Sequence, residues 1–194
     1  VASVLQGIEV WSPRAETAII HVELPWPELL AGESPESILQ RNTVPLVNIL
    51  RGKGLDLIFM GDLNDGLARG LEAPKLRAAG RSITEPAVQL LYRDYMMAVD
   101  RLLAPKVLGL VAESNLIRAA APGLYPAVKQ AANDTAAALR AAGSKTNLLV
   151  SVQVETAWGR LGGTGPYVGI ETDFTDFPFM QTLGLSSYPY FGWS

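Results

Sequence analysis

Apolar runs that end abruptly in polar or aromatic residues recur along the chain. Continuous apolar runs are typical of parallel strands buried on both faces, and in a (β/α) barrel the residues that follow each strand gather at the carboxyl-terminal edge of the sheet. The pattern predicts an α/β fold, a partial TIM-like (β/α) barrel of about five parallel strands with outer helices, and places any site at that edge. The runs are Ala18–Val22, Leu57–Gly61, Val107–Ala112, Leu148–Val154 and Leu183–Leu185.

Helical signals lie between these runs. Ser34–Glu36 is a helix start with serine as N-cap and proline at the first helical position, and this helix is expected to run to about Arg51 with a kink at Pro45. Further helices are expected over Thr84–Leu103, where apolar residues recur at spacings of three and four, and over the alanine-rich Leu124–Ala142. Since eight barrel units take roughly 250 residues, the sequence predicts an incomplete barrel or a fragment of one.

Composition narrows the class of protein. Hydrophobic residues make up 48% of the 194 residues and charged residues 18%, which is typical of a globular chain and predicts a single domain over residues 1–194. The net charge of −3 comes without a run of Lys or Arg, so no nucleic-acid partner is expected. No apolar stretch is long enough for a membrane span and no signal peptide is evident; the compartment therefore stays open.

The types of side chain limit the chemistry. The chain has no cysteine and one histidine, His21, which excludes thiol catalysis, disulfides and a multi-histidine zinc site. We expect no cofactor and no metal. The side chains left to move protons near neutral pH are mostly carboxylates.

Two glutamates follow predicted strands and are the candidate catalytic residues. Glu113 ends a strand rich in Leu and Val, and partial desolvation at a barrel mouth favours a protonated carboxyl group suited to general acid catalysis. The alternative is a helix cap or an ion pair with Arg118. Glu155 is the candidate partner, because carboxylates on neighbouring strands can approach to the separation of a glycosidase pair. Its alternative role is to anchor Arg160 or a backbone amide.

Polar and aromatic residues at the same strand ends are the candidate substrate-binding residues. Aromatic faces stack against sugar rings while amides and carboxylates bond hydroxyl groups, so the mixture indicates a carbohydrate. The segment from residue 62 to residue 66 also has the composition of a turn. The candidates are Asp62, Asn64, Asn115, Gln153, Trp158, Tyr188, Tyr190 and Trp26.

The strand ends resemble those of a known family of barrel enzymes. Phe59–Gly66, Leu108–Leu116, Ser151–Gly159 and Leu183–Phe191 resemble segments of (β/α)-barrel glycoside hydrolases of the large retaining clan that includes the arabinogalactan endo-β-1,4-galactanases. On this register the visible strands are the second to the sixth.

The resemblance implies that Glu113, at the end of the fourth strand, is the acid/base, although Ala112 stands where the clan has Asn. The clan's nucleophile ends a seventh strand, which has no counterpart here.

The resemblance and the residues together predict a glycoside hydrolase, or a fragment of one, acting on a β-linked oligosaccharide or polysaccharide. One alternative is a carbohydrate-binding or scaffolding barrel without catalysis. Another is an esterase-like hydrolase that uses Ser186 or Ser187 with His21. A barrel slice has two open sheet edges, so we also expect a homo-oligomer that covers them.

Overall fold

Five parallel strands alternate with helices and form a half-barrel in the computed structural model, which describes residues 2–160 and 169–190. The sheet order follows the chain order from β1 to β5. This confirms the predicted fold class, because each apolar run pairs in parallel with the run before it. The strands are β1 (Thr17–Glu23), β2 (Asp56–Asp62), β3 (Val107–Val111), β4 (Asn147–Gln153) and β5 (Thr182–Ser186).

The described helices connect these strands. They are α1 (Ala2–Trp11), α2 (Trp26–Leu30), α3 (Pro35–Asn42), α4 (Val44–Gly52), α5 (Pro74–Ala78), α6 (Pro86–Leu103), α7 (Ser114–Ala120), α8 (Tyr125–Ala141), α9 (Val154–Ala157) and α10 (Glu171–Asp176), with a 3₁₀ turn over Ser12–Arg14. Within the described part of the chain, none of these helices is both long and apolar enough to span a bilayer.

Local sequence signals explain the helix boundaries. Ser34 caps α3 as expected, since its hydroxyl oxygen accepts a hydrogen bond from the Ser37 N–H at 3.2 Å. The kink expected at Pro45 is instead a break: α3 ends at Asn42 and α4 begins at Val44. A proline in the first turn of a helix needs no N–H partner, so a new helix start accommodates Pro45 better than a helix interior does.

The two faces of the sheet pack differently. Alternate strand residues such as Phe59, Leu108 and Val150 join the main core with the helices. The opposite, inner face carries a small apolar cluster of Met60, Ala112 and Leu149, as the period of two along a strand requires. The inner face is therefore mainly apolar along the strands, apart from Ser151 on β4 and His21 on β1, beside Met60, and most of its polar side chains lie at the carboxyl ends.

Candidate functional site

A cavity of about 380 Å³ lies at the carboxyl-terminal edge of the sheet. This volume lies within the range of small-molecule sites, about 300–1,000 Å³. Its lining combines a carboxylate, a guanidinium, an amide and two phenol rings. The described lining residues are Gly66, Leu67, Arg69, Glu113, Leu116, Gln153, Tyr188 and Tyr190. The cavity thus brings together four of the residues predicted from the sequence and adds Arg69.

Glu113 stands between β3 and α7 in an uncommon backbone conformation. Its φ of 55° is left-handed, and non-glycine residues in this region are often found at functional sites. The backbone N–H of Glu113 donates to Ser151 Oγ on β4 at 2.9 Å. The β3–β4 pairing is irregular between Gly109 and Val111, and such irregularities redirect the residues that follow. These features turn the Glu113 side chain towards the cavity.

The carboxylate of Glu113 is paired with a residue that the sequence did not predict. Arg69 Nε donates to Glu113 Oε2 at 2.9 Å, and Arg69 Nη1 donates to Asp62 Oδ1 at 2.7 Å. All three side chains are buried. The alternative expected partner, Arg118, contacts Asp173 instead, at 3.2 Å.

The same network reaches the first strand. His21 Nε2 lies 2.8 Å from Asp62 Oδ2, so one Asp62 oxygen faces β1 and the other faces Arg69. Burial lowers the pKa of Arg69, but the charges and hydrogen bonds of Asp62 and Glu113 outweigh it and the net effect raises the pKa. Arg69 is therefore a permanent cation between two carboxylates. Asp62 is not among the described lining residues, and it contacts one of them, Arg69.

The loop after β2 explains how Arg69 reaches this position. Asp65 Oδ1 accepts hydrogen bonds from the N–H groups of Leu67 at 2.8 Å and Ala68 at 3.1 Å. A turn is therefore present, but it begins at Asp65 and not at Asp62, which ends β2. Asn64 forms an antiparallel bridge with Glu72, and it is buried. Asn64 thus closes the base of the loop rather than lining the cavity.

Glu155 lies at the start of α9, and hydrogen bonds hold both of its carboxylate oxygens. Oε1 accepts from Ser187 Oγ at 2.8 Å and from the Tyr188 N–H at 2.9 Å, and Oε2 accepts from Gln153 Nε2. Burial opposes ionisation, but these hydrogen bonds outweigh it and lower the pKa of Glu155. The expected alternative, an anchor for a backbone amide, is confirmed. The described cavity lining does not include Glu155.

Asn115 and Gln153 form a bracket between α7 and β4. Asn115 Nδ2 donates to the Gln153 carbonyl oxygen at 2.9 Å, and the Gln153 N–H donates to Asn115 Oδ1 at 2.8 Å. Asn115 is fully buried, so the prediction that it binds substrate is wrong. Its side chain instead holds the Gln153 backbone in place. Gln153 is one of the residues that line the cavity, and its side-chain amide donates to Glu155 Oε2 and accepts a hydrogen bond from the Thr156 N–H.

The aromatic candidates divide into three groups. Tyr188 and Tyr190 pack edge to face, with ring centroids 6.3 Å apart, at the cavity wall. Trp158 is 64% exposed and lies just beyond Glu155. Trp26 is 0% exposed and belongs to the core. The expectation that Trp26 binds substrate is wrong, because α2 turns its indole inwards as a packing residue.

The residues proposed for an esterase lie far apart in the sheet. His21 is on β1 and Ser186 ends β5, which are the two edges of the five-stranded order. Adjacent strands are spaced by about 4.8 Å, so three intervening strands separate these residues. His21 contacts Asp62 and the Ser187 hydroxyl donates to Glu155. The described structure does not assemble a serine and histidine pair.

Sequence reasoning missed Arg69 and Ser151 for different reasons. Arg69 lies in a long loop, where no hydrophobic periodicity indicates which way a side chain points. The only sign of its role in the sequence is that it is a single cation shortly after Asp62 and Asp65. Ser151 is a small polar residue on the inner face of an otherwise apolar strand, which could have been noticed as a break in the pattern.

Comparison of this chain with protein-family models, with curated proteins and with solved structures finds no match in any of the three. The half-barrel fold and the geometry of its carboxyl-terminal edge are thus the basis for a functional argument.

Proposed function

We propose that the cavity at the carboxyl-terminal edge binds a β-linked saccharide and that the protein is a glycoside hydrolase, or a part of one, with Glu113 as its acid/base. One observation carries the proposal: a single cavity of about 380 Å³ contains the Glu113 carboxylate, the Gln153 amide and the Tyr188 and Tyr190 rings. Phenol rings offer flat apolar faces to a pyranose ring, and amide and carboxylate groups bond its hydroxyls.

The chemistry assigned to Glu113 is proton transfer to and from the glycosidic oxygen. A carboxyl group placed beside that oxygen gives a proton to the leaving group and later takes one from water. Burial of Glu113 and its fixed backbone favour this role, since they determine the point of the cavity wall from which the side chain extends.

A glycosidase mechanism requires a second carboxylate, and here a competing function has support. Glu155 was expected to be the partner, but Ser187, Tyr188 and Gln153 donate hydrogen bonds to its two oxygens, and the described lining of the cavity does not include it. The described cavity thus has one carboxylate in its wall. This observation favours the second candidate function, a carbohydrate-binding barrel without catalysis.

One experiment separates the two functions. The purified chain is assayed for hydrolysis of β-linked galactans, β-linked glucans and aryl β-glycosides, and binding of the matching oligosaccharides is measured by calorimetry. We expect Glu113→Gln to lower turnover by about 10² to 10⁴-fold on substrates with poor leaving groups. The matched control is Glu16→Gln, an exposed residue just before β1, at the opposite edge of the sheet.

Hydrolysis by the wild type that Glu113→Gln leaves unchanged would refute the catalytic assignment. Binding without turnover would establish the second candidate. Neither binding nor turnover on the whole panel would refute a saccharide function.

A further inference from the structure

Arg69 is buried at the cavity wall, whereas most arginines lie at the protein surface. Its side chain is 5% exposed and makes one hydrogen bond to each of two carboxylates, Asp62 at the end of β2 and Glu113 after β3. The guanidinium thus spans two neighbouring strands at the cavity wall. Arginine suits such a position because its planar, permanently charged fork presents donors at fixed angles.

Glu113 is held from two sides. Ser151 Oγ accepts a hydrogen bond from its backbone N–H, and Arg69 Nε donates to its carboxylate. The first contact fixes the backbone at a left-handed φ of 55°, but it leaves the side-chain torsions of Glu113 undefined. Arg69 supplies the missing constraint, and the hydrogen bond at Oε2 selects one rotamer of the carboxylate.

The loop that carries Arg69 is itself fixed. The Asp65 carboxylate accepts two backbone N–H groups inside the loop, the Asp65 N–H donates to the Leu71 carbonyl oxygen at 3.1 Å, and Asn64 bridges to Glu72. The position of Arg69 is therefore set before any ligand arrives, which is the requirement for preorganisation.

We propose that Arg69 is a positioning residue that holds the Glu113 carboxylate at the cavity wall. Asp62 is its second anchor, which keeps the guanidinium at the sheet edge instead of in the cavity. The catalytic consequence of this role rests on the proposed function, whereas the placement of Glu113 by Arg69 does not.

The test uses Arg69→Met, which removes both hydrogen bonds, and Arg69→Lys, which keeps the charge but replaces the fork by a single ammonium group. The matched control is Arg81→Met, because Arg81 pairs with Glu85 at the surface at 2.6 Å. Near-ultraviolet circular dichroism verifies that each variant is folded. The primary measurement is the labelling rate of Glu113 by a water-soluble carbodiimide and an amine, followed by peptide mass spectrometry.

We expect Glu113 to label slowly in the wild type and in Arg81→Met, faster in Arg69→Lys and fastest in Arg69→Met. A folded Arg69→Met in which Glu113 labels at the wild-type rate overturns the proposal. If Arg69→Met does not fold, Arg69→Lys decides, and labelling of Glu113 at the wild-type rate in that variant then overturns it.

A second measurement examines the catalytic consequence. If the wild type is a hydrolase, Arg69→Met is expected to lower kcat by about 10²-fold with little change in KM, because a displacement of about 1 Å costs that much. Partial recovery of kcat in Arg69→Lys supports positioning, and an unchanged kcat in folded Arg69→Met opposes it. A wild type that binds and cleaves no saccharide refutes the proposed function, while the labelling rates still decide the role of Arg69.

Discussion

Replacing Gly184 with alanine tests the packing that supports the site. Gly184 on β5 pairs with Ser151 on β4, and a Cβ added at Gly184 would lie 2.8 Å from the Ser151 Cβ and 3.4 Å from its Cα. Ser151 cannot relieve this contact by rotating its side chain, because Cβ is fixed by the backbone. Either β5 must move away or Ser151 must shift, and Ser151 Oγ is the acceptor for the Glu113 N–H.

The expected size follows from two opposing terms. Overpacking costs about 1–3 kcal/mol, and a change from glycine to alanine returns about 0.4–1 kcal/mol by restricting the unfolded chain. Because no side-chain rotation relieves the 2.8 Å contact, the overpacking cost lies in the upper half of its range, at about 2–3 kcal/mol. We therefore expect Gly184→Ala to lower the free energy of unfolding by about 1–2.5 kcal/mol, which at this chain length corresponds to a fall in Tm of about 2–10 °C.

Urea denaturation provides the assay, and Gly52→Ala provides the control. Gly52 ends α4, and a Cβ there meets no atom within 4 Å, so the same change is expected to raise the free energy of unfolding by about 0.4–1 kcal/mol. The two substitutions should have opposite signs. A Gly184→Ala variant as stable as the wild type would refute the close packing of β5 against Ser151.

Three further predictions concern acid stability, the bracket and assembly. The pKa of Glu155 is lower in the folded protein than its ordinary value of 4.5. Ionised Glu155 therefore stabilises the fold above pH 4.5, and this stabilisation is lost as the pH falls through the lower folded-state pKa. Glu155→Gln should consequently reduce the loss of stability in acid. Asn115→Ala removes the hydrogen bonds to the Gln153 backbone and should cost about 1–3 kcal/mol. We expect a homo-oligomer by light scattering, because Ile19 on β1 and Leu185 on β5 are exposed at the open edges.

Each of these three predictions can be contradicted by a measurement. Equal acid sensitivity in Glu155→Gln and in the wild type, both measured by urea denaturation at several pH values, would show that Glu155 does not carry this dependence. The exposed Glu16→Gln serves as its control. An Asn115→Ala variant with full stability would mean that Gln153 finds other partners. A monomer at micromolar concentration would show that the edges are covered within the chain.

Most of the fold could be predicted from the sequence, because strands buried on both faces produce continuous apolar runs. The runs at Leu57–Gly61 and Val107–Ala112 match β2 and β3 closely, and the Ser34 cap is where it was predicted. The break near Pro45 was expected only as a kink, since a proline pattern does not distinguish a bent helix from two helices.

The site was harder to predict for a physical reason. Position in a strand determines which residues reach the sheet edge, so Glu113 and Gln153 lie at the carboxyl-terminal edge, where the sequence placed them. The direction in which a side chain points is set by tertiary contacts that no local sequence pattern encodes. For that reason Trp26 was placed at the edge although it is in the core, and Arg69 was missed although it contacts both Asp62 and Glu113.

The central claim is that the cavity beside Glu113 binds a saccharide, and amide chemical-shift mapping tests it most directly. The ¹⁵N-labelled protein is titrated with β-1,4-linked galactotriose and, separately, with β-1,4-linked glucotriose. The account predicts saturable shifts for at least one of them, concentrated on the cavity-lining residues around Leu67, Glu113, Gln153 and Tyr188. Shifts that cluster elsewhere on the protein, or no shifts with either sugar at millimolar concentration, would contradict it.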